Sequence, residues 1–187
     1  MEEDIHKAVD VLHKGGIILY PTDTVWGIGC DATNYEAVKK LNRIKGDVRQ
    51  RSFIVLVESL DKLKNYVSKI PDTVHDLIEN VKEPITIVYP GAMNLAKNVI
   101  ASNQSVAVRI PRSEFCQRLL ADFGKPITSS TARLDGDPLP VSFSKISSAI
   151  LGGVDYVVKF GQQVLFRSKP SIIVCINELG EIQILRN

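Results

Sequence analysis

The sequence predicts an α/β protein in which a twisted, mixed parallel and antiparallel sheet is flanked by helices. Short apolar runs alternate with amphipathic segments along most of the chain, and the C-terminal stretch contains strand patterns only. The 187 residues are 44% hydrophobic and 24% charged, a globular composition that excludes a disordered or fibrous protein. This length suits one domain with a full core, and we expect residues 1–187 to form it.

Helices are predicted where apolar residues recur at a spacing of three or four. Thr33 and Glu36 have capping-box spacing, and Gly124 is placed to end a helix. The stretch that contains Val141 is expected to stop at Gly152. The predicted helices cover residues 4–14, 33–45, 61–66, 72–81, 113–123 and 141–151.

Strands are predicted for short, β-rich apolar runs. Three of these runs end at a proline, namely Pro21, Pro90 or Pro111. A turn at 177–180 joins the last two strands. The predicted strands cover 17–20, 53–57, 85–89, 106–110, a short segment from Ile127, 156–158, 172–176 and 182–185.

Several classes of protein and site are excluded. Cys30, Cys116 and Cys175 are far apart and lack CxxC spacing, so we expect reduced, mostly buried thiols in a cytoplasmic protein. No apolar run is long enough to span a bilayer, and the acidic start is unlike a targeting peptide. There is no P-loop motif, and no cluster of residues predicts a metal site. The GxGxxA pattern at 27–32 is a weak dinucleotide match, because residues 21–26 separate it from the strand.

Two polar segments and one arginine are candidates for binding. Thr22 and Thr24 follow a strand end and precede two glycines, so they either face a ligand or bond the loop's own backbone. Four consecutive hydroxyl residues at 128–131 come shortly before Arg133, a donor set suited to phosphate or carboxylate. Arg109 interrupts an apolar strand, so it must face a cleft or be paired.

Basic residues are concentrated in one segment although the whole chain carries a net charge of only +2. Residues 39–51 contain six basic residues and one acid, Asp47, and therefore carry +5. Such a segment indicates either a local anion site or nucleic-acid face, or simply a solvated helix end. The basic residues are Lys39, Lys40, Arg43, Lys45, Arg49 and Arg51.

Taken together, these motifs resemble the YrdC-like domain family of threonylcarbamoyl-adenylate synthases. The resemblance covers nearly the whole chain, from PTDTVWGIG at 21–29 through ITIVYPG at 85–91 and SVAVRIP at 105–111 to PSII at 170–173. It implies a twisted mixed sheet with a concave basic cavity. The family joins L-threonine, bicarbonate and ATP, with Mg²⁺, into threonylcarbamoyl-AMP and pyrophosphate. Partner proteins then transfer the threonylcarbamoyl group to adenosine 37 of tRNA.

The resemblance also implies roles for individual residues. Thr22, Thr24 and Arg109 would bind threonine, and Lys45, Arg51 and Arg109 would be catalytic. The nucleotide would be bound by Lys45, Arg51, Ser129, Thr131, Arg133 and Ser171.

The sequence departs from the family at two signature positions. Asp47 replaces the arginine of Lys-x-Arg, and Arg133 replaces the asparagine of Ser-x-Asn. Asp47 and Arg133 could pair across the cavity, or Arg49 could supply the missing cation. The alternative is a non-catalytic paralogue that binds tRNA or double-stranded RNA through phosphate contacts.

Overall fold

A computed structural model describes residues 1–46, 53–165, 170–177 and 179–186. The helices are α1 (Glu2–His13), α2 (Tyr35–Ile44), α3 (Leu60–Leu63), α4 (Thr73–Asn80), α5 (Glu114–Phe123) and α6 (Ser148–Gly153). The strands are β1 (Ile18–Pro21), β2 (Trp26–Gly29), β3 (Ile54–Leu56), β4 (Ile85–Tyr89), β5 (Val106–Arg109), β6 (Ile127–Thr131), β7 (Tyr156–Val157), β8 (Ile172–Ile176) and β9 (Ile182–Arg186). The alternation of helices and strands confirms the predicted α/β class.

The strands join into one mixed sheet in the order β7-β1-β2-β6-β3-β5-β4-β8-β9. Three neighbouring pairs are parallel: β1 with β7, β3 with β5, and β4 with β8. The remaining pairs, including the β1–β2 and β8–β9 hairpins, are antiparallel. Because side chains alternate between faces along each strand, this pairing gives the sheet two distinct faces.

Each face of the sheet packs against its own hydrophobic core. The larger core includes Trp26, Val55 and Val108. The second core forms where α1 and α5 pack over Ile18 and Leu56 on the other face. Arg109 is paired in register with Leu56, so it lies on the face of the second core, beyond the cover of those two helices.

Local hydrogen bonds explain where two of the helices begin. Ser113 caps α5 as its side chain accepts from the N–H of Cys116, and Gly124 ends that helix in the left-handed conformation, as predicted. The cap of α2 is Asn34, which accepts from the N–H of Ala37 at 3.1 Å. The prediction of a Thr33 cap is wrong because the Thr33 hydroxyl donates to Asp31 Oδ1 at 2.6 Å instead.

The segment predicted as a loop after β1 is in fact a second strand. β2 pairs with β1 from Pro21↔Trp26 to Ile18↔Gly29, so only four residues form the turn. Gly27 and Gly29 therefore lie in a strand, which excludes a dinucleotide fingerprint at this position. A Cβ on Gly29 would lie 1.9 Å from the carbonyl oxygen of Thr128, which explains the need for glycine.

The helix predicted at 141–151 is also different in the structure. A 3₁₀ turn covers Phe143–Lys145, and α6 starts only at Ser148. The side chain of Ser147 caps α6 by accepting from the N–H of Ile150. The helix then continues through Gly152 to Gly153, where an added Cβ would lie 3.0 Å from Ile44. Close packing against α2 accounts for glycine here, and the predicted stop at Gly152 is wrong.

The cysteines have the reduced, mostly buried character that the sequence predicts. All three cysteines are free, and Cys30 and Cys116 are buried. Burial raises the pKa of the Cys30 and Cys116 thiols to about 12, so they stay protonated and unreactive at neutral pH. Within the described ranges, every helix is too short or too polar to cross a membrane.

Candidate functional site

A polar cleft of about 190 Å³ lies on the face of the sheet that carries Arg109. Its walls come from the β1–β2 turn and from β2, β3, β5 and β6. The segment after β6, the two residues before β8 and the end of β9 complete them. Seven of the predicted site residues line it: Thr22, Thr24, Arg109, Ser129, Thr131, Arg133 and Ser171. Residues far apart in sequence are thus brought together by the sheet order.

The β1–β2 turn is held in shape by the Thr22 hydroxyl. Oγ1 of Thr22 donates to the Val25 carbonyl at 2.6 Å and accepts from the N–H groups of Thr24 and Val25. It also lies 2.9 Å from Oγ1 of Thr24. Of the two functions left open for this loop, Thr22 therefore fulfils the structural one, and its hydroxyl has little capacity left for a ligand.

Arg109 is the charged side chain most tightly built into the cleft. Its side chain is only 4% exposed, and Nη2 lies 3.2 Å from Oδ1 of Asp23. Nη1 donates to Oγ1 of Thr24 at 3.2 Å. The expectation that this arginine faces a cleft or is paired is satisfied in both ways. The ion pair fixes the guanidinium, while its place in the lining leaves it accessible to an anion.

Arg186 is a cleft residue that sequence reasoning missed. It donates from Nη2 and Nε to the carbonyl of Ser171, at 2.7 and 3.2 Å. Burial, with a further effect of the positive charge of Arg109, lowers the pKa of Arg186. Its sequence signal is weak: Arg186 directly follows the predicted strand 182–185, whereas Arg109 lies inside the apolar run 106–110.

The hydroxyl-rich strand β6 forms another wall of the cleft. Ser129 and Thr131 line the cleft, and Arg133 follows them with its guanidinium donating from Nη1 to the Asp137 carbonyl at 2.6 Å. The cleft also contains Ser171, whose Oγ lies 2.8 Å from Oγ1 of the buried Thr86. Hydroxyls and fixed guanidinium groups therefore surround one space, which suits an anion that carries several oxygens.

Lys45 lies behind this wall. It is 3% exposed, and it is not part of the cleft lining among the described residues. Its Nζ donates to the carbonyls of Thr131, at 2.6 Å, and of Arg133. In this structure the Lys45 ammonium supports the segment that carries two cleft side chains.

Part of the predicted basic segment falls outside the described residues, namely Asp47, Arg49 and Arg51. The suggested Asp47–Arg133 pair and the role of Arg51 therefore stay predictions. In the described part of the segment two lysines form ion pairs: Lys39 Nζ lies 3.9 Å from Oε2 of Glu36, and Lys40 Nζ lies 2.7 Å from Oδ2 of Asp155. Burial opposes ionisation of Asp155, yet hydrogen bonds from Lys40 and the N–H of Ile17 lower its pKa. These pairs reduce the free positive charge that an RNA-binding face would need.

Comparison with known proteins gives a consistent set of similarities. The Sua5/YciO/YrdC family model, which carries the description "Telomere recombination", matches residues 10–187. A threonylcarbamoyl-AMP synthase of Pseudoalteromonas translucida is 33% identical over 160 residues, which are 84% of this chain and 86% of that one. A protein of the same name from Xanthomonas euvesicatoria pv. vesicatoria is 33% identical over 158 residues, 83% of this chain and 84% of the relative.

Solved structures have the same fold at lower identity. P. abyssi Sua5 complexed with L-threonine matches the whole chain with a TM-score of 0.89 and 24% identity. This chain spans only 54% of the Sua5 chain, about half its length. E. coli YciO matches with a TM-score of 0.84 and 21% identity, over the whole of this chain and 90% of its own. These likenesses confirm the predicted mixed-sheet α/β fold.

Proposed function

The chain belongs to the Sua5/YciO/YrdC family, and we propose from this premise that it is a threonylcarbamoyl-AMP synthase. The reaction combines L-threonine, bicarbonate and ATP, and releases threonylcarbamoyl-AMP, pyrophosphate and water. The observation that carries the proposal is the cleft, where Arg109, Arg133 and Arg186 share one lining with the hydroxyls of Ser129 and Thr131. The name shared by relatives at 33% identity supports this choice of reaction.

The composition of the cleft matches what this reaction requires. Threonine carbamate is an anion that must attack the α-phosphorus of another anion, so the site has to hold both close together. Negative charge then grows on the departing pyrophosphate. Guanidinium groups fixed by Asp23, Asp137 and Ser171 can stabilise that charge without reorganising. Positioning and electrostatics suffice, and no covalent nucleophile on the protein is needed.

The three arginines divide between the two substrates in this proposal. Arg109 lies beside the Thr24 hydroxyl, and we assign this pair to the carboxylate and hydroxyl of threonine. Arg133 and Arg186, with Ser129, Thr131 and Ser171, form the nucleotide side. Lys45 contributes by supporting residues 131–133. Arg51 is proposed as a further triphosphate ligand, on the strength of the family resemblance alone.

Mg²⁺ is proposed to enter with ATP rather than on a site of its own. Hydroxyl and guanidinium groups provide the polar lining among the described residues, and no carboxylate belongs to it. Phosphate oxygens and water would then be the main ligands of Mg²⁺, which commonly keeps several waters. In cells, a tRNA threonylcarbamoyl-transferase would consume the product.

The deciding experiment measures pyrophosphate release by the purified protein, with and without threonine and bicarbonate. The proposal expects release only when both are present, and threonylcarbamoyl-AMP as the second product. Arg109→Lys should lower this rate by about 100-fold or more, because a lysine cannot make both guanidinium contacts. Arg118→Lys, which alters only a surface pair with Glu2, is the matched control and should retain the wild-type rate. Release that ignores threonine, or no release, would refute the proposal.

A further inference from the structure

Asp23 lies directly behind the cleft, in the turn between β1 and β2. Its Oδ1 is 3.2 Å from Nη2 of Arg109, and the two side chains are only 13% and 4% exposed. Asp23 itself is not part of the cleft lining, unlike its neighbours Thr22 and Thr24. The carboxylate therefore contacts Arg109 from the side away from a ligand.

The other oxygen of this carboxylate is anchored to the backbone. Oδ2 of Asp23 accepts a hydrogen bond of 3.1 Å from the N–H of Arg112. The guanidinium of Arg112 in turn donates to the carbonyls of Ile78, Val81 and Lys82 at the C-terminal end of α4. The Asp23 side chain is thus anchored to the segment that follows β5, and this contact fixes its position without a ligand.

The guanidinium of Arg109 has few other restraints. Nη1 reaches only the neutral hydroxyl of Thr24, and Nε has no hydrogen-bond acceptor among the described residues. Arg186 lies nearby with the same charge: burial first, and then the positive charge of Arg109, lowers the pKa of Arg186. Asp23 supplies the negative charge that opposes this repulsion and orients Arg109.

We propose that Asp23 is a positioning residue that acts through Arg109 and sets the affinity for the carboxylate of threonine. This inference rests on the proposed function, because it takes threonine as the ligand of Arg109. Asp23 does not touch either substrate. Its loss should therefore weaken threonine binding selectively and leave ATP binding and the chemical step nearly intact.

The test compares the steady-state constants of the wild type with those of Asp23→Asn. Asparagine has the same shape and keeps an oxygen for the N–H of Arg112, but it lacks the charge that faces Arg109. We expect the KM for threonine to rise about tenfold or more, since a charge-assisted contact is lost. The KM for ATP and kcat should each stay within about threefold. Asp61→Asn, which removes a carboxylate from an exposed pair with Lys64, is the matched control and should keep wild-type constants.

Two results would overturn the role of Asp23 alone. One is an active wild type whose Asp23→Asn variant keeps its threonine KM within about twofold. The other is an equal rise in the KM for threonine and for ATP, which would indicate a loosened cleft. If Asp23→Asn does not fold, Asp23→Ser also removes the charge and is judged by the same constants. A wild type that forms no threonylcarbamoyl-AMP would instead refute the proposed function, so the two failures are distinguishable.

Discussion

Replacing Lys45 by methionine tests whether this buried lysine supports the cleft wall. Its Nζ donates to the carbonyls of Thr131 and Arg133, and the residue is 3% exposed. Methionine keeps an apolar chain of similar length but cannot donate a hydrogen bond. Lys45→Met therefore removes a donor from two partly buried carbonyls.

The cost follows from the number of bonds that are lost. An unsatisfied buried acceptor costs about 1–3 kcal/mol, and the Thr131 carbonyl keeps a second donor, the N–H of Arg133 at 2.8 Å, so the loss falls mainly on the Arg133 carbonyl. Both belong to a segment next to an open cleft, where water can replace part of the loss. We therefore expect Lys45→Met to lower the free energy of unfolding by about 1–3 kcal/mol, a substantial part of the 5–15 kcal/mol that usually stabilises a domain.

Urea unfolding measures this loss, and isothermal titration calorimetry measures the affinity for ATP. Lys40→Met is the matched control, because it changes the same residue type within helix α2, which Lys45 directly follows. Lys40 and its partner Asp155 are 45% and 38% exposed, so that change should cost under about 1 kcal/mol. ATP affinity should fall in Lys45→Met, since Thr131 and Arg133 line the cleft. If Lys45→Met is as stable as Lys40→Met, the supporting role is refuted. If that stable Lys45→Met protein nevertheless loses ATP affinity, Lys45 contacts the phosphates directly instead.

Three further changes test other parts of the fold and site. Gly29→Ala places a Cβ 1.9 Å from the Thr128 carbonyl oxygen and should lower the free energy of unfolding, measured in urea, by about 1–3 kcal/mol or more. Gly152→Ala is the control: its Cβ meets open space, so the free energy of unfolding should not fall. Arg186→Gln removes a cleft charge and should weaken ATP binding about ten- to hundredfold in calorimetry, with Arg118→Gln unchanged. Burial opposes ionisation of Asp4, but hydrogen bonds from the Tyr156 hydroxyl and the N–H groups of Lys159 and Phe160 lower its pKa. The stabilisation by Asp4 is therefore present above about pH 4 and is lost as the pH falls below that. In thermal unfolding, the melting temperature of Asp4→Asn should fall less steeply with decreasing pH than that of the wild type.

The sequence was sufficient for those elements whose signals are local. Apolar runs that end at Pro21, Pro90 or Pro111 correspond to β1, β4 and β5, and Gly124 ends α5 as predicted. Arg109 was identified because a charge in an apolar strand needs a partner or a ligand. In each of these cases one physical rule decides the outcome within about ten residues of sequence.

Signals that depend on distant residues were not readable. β2 contains two glycines in four residues, a poor strand by propensity, and only its pairing with β1 and β6 makes it one. Thr33 lost its predicted capping role to Asn34 because Asp31 binds its hydroxyl. Arg186 joins the cleft through the register of β9 against β8. Contacts between residues far apart in the sequence, above all strand pairing, decide such outcomes. Patterns of neighbouring residues alone do not predict that pairing.

The alternation of side chains that builds the larger core also builds the cleft. In β2, Ile28 enters that core, while Gly27, which is paired with Thr131, lines the cleft. In β5, Val108 enters the core and Arg109 faces the cleft.

A register slip of one residue would move Arg109 into the larger core and Val108 into the cleft, so pairing that stabilises the fold also fixes the charge in place. Substitutions of cleft side chains with few internal hydrogen bonds, such as Ser129, should accordingly change substrate affinity more than stability. Substitutions of Val55 or Val108, which are buried in the larger core, should reduce both. The sheet thus brings three guanidinium groups to one cleft of a chain whose net charge is only +2, an arrangement that favours an anion at this site.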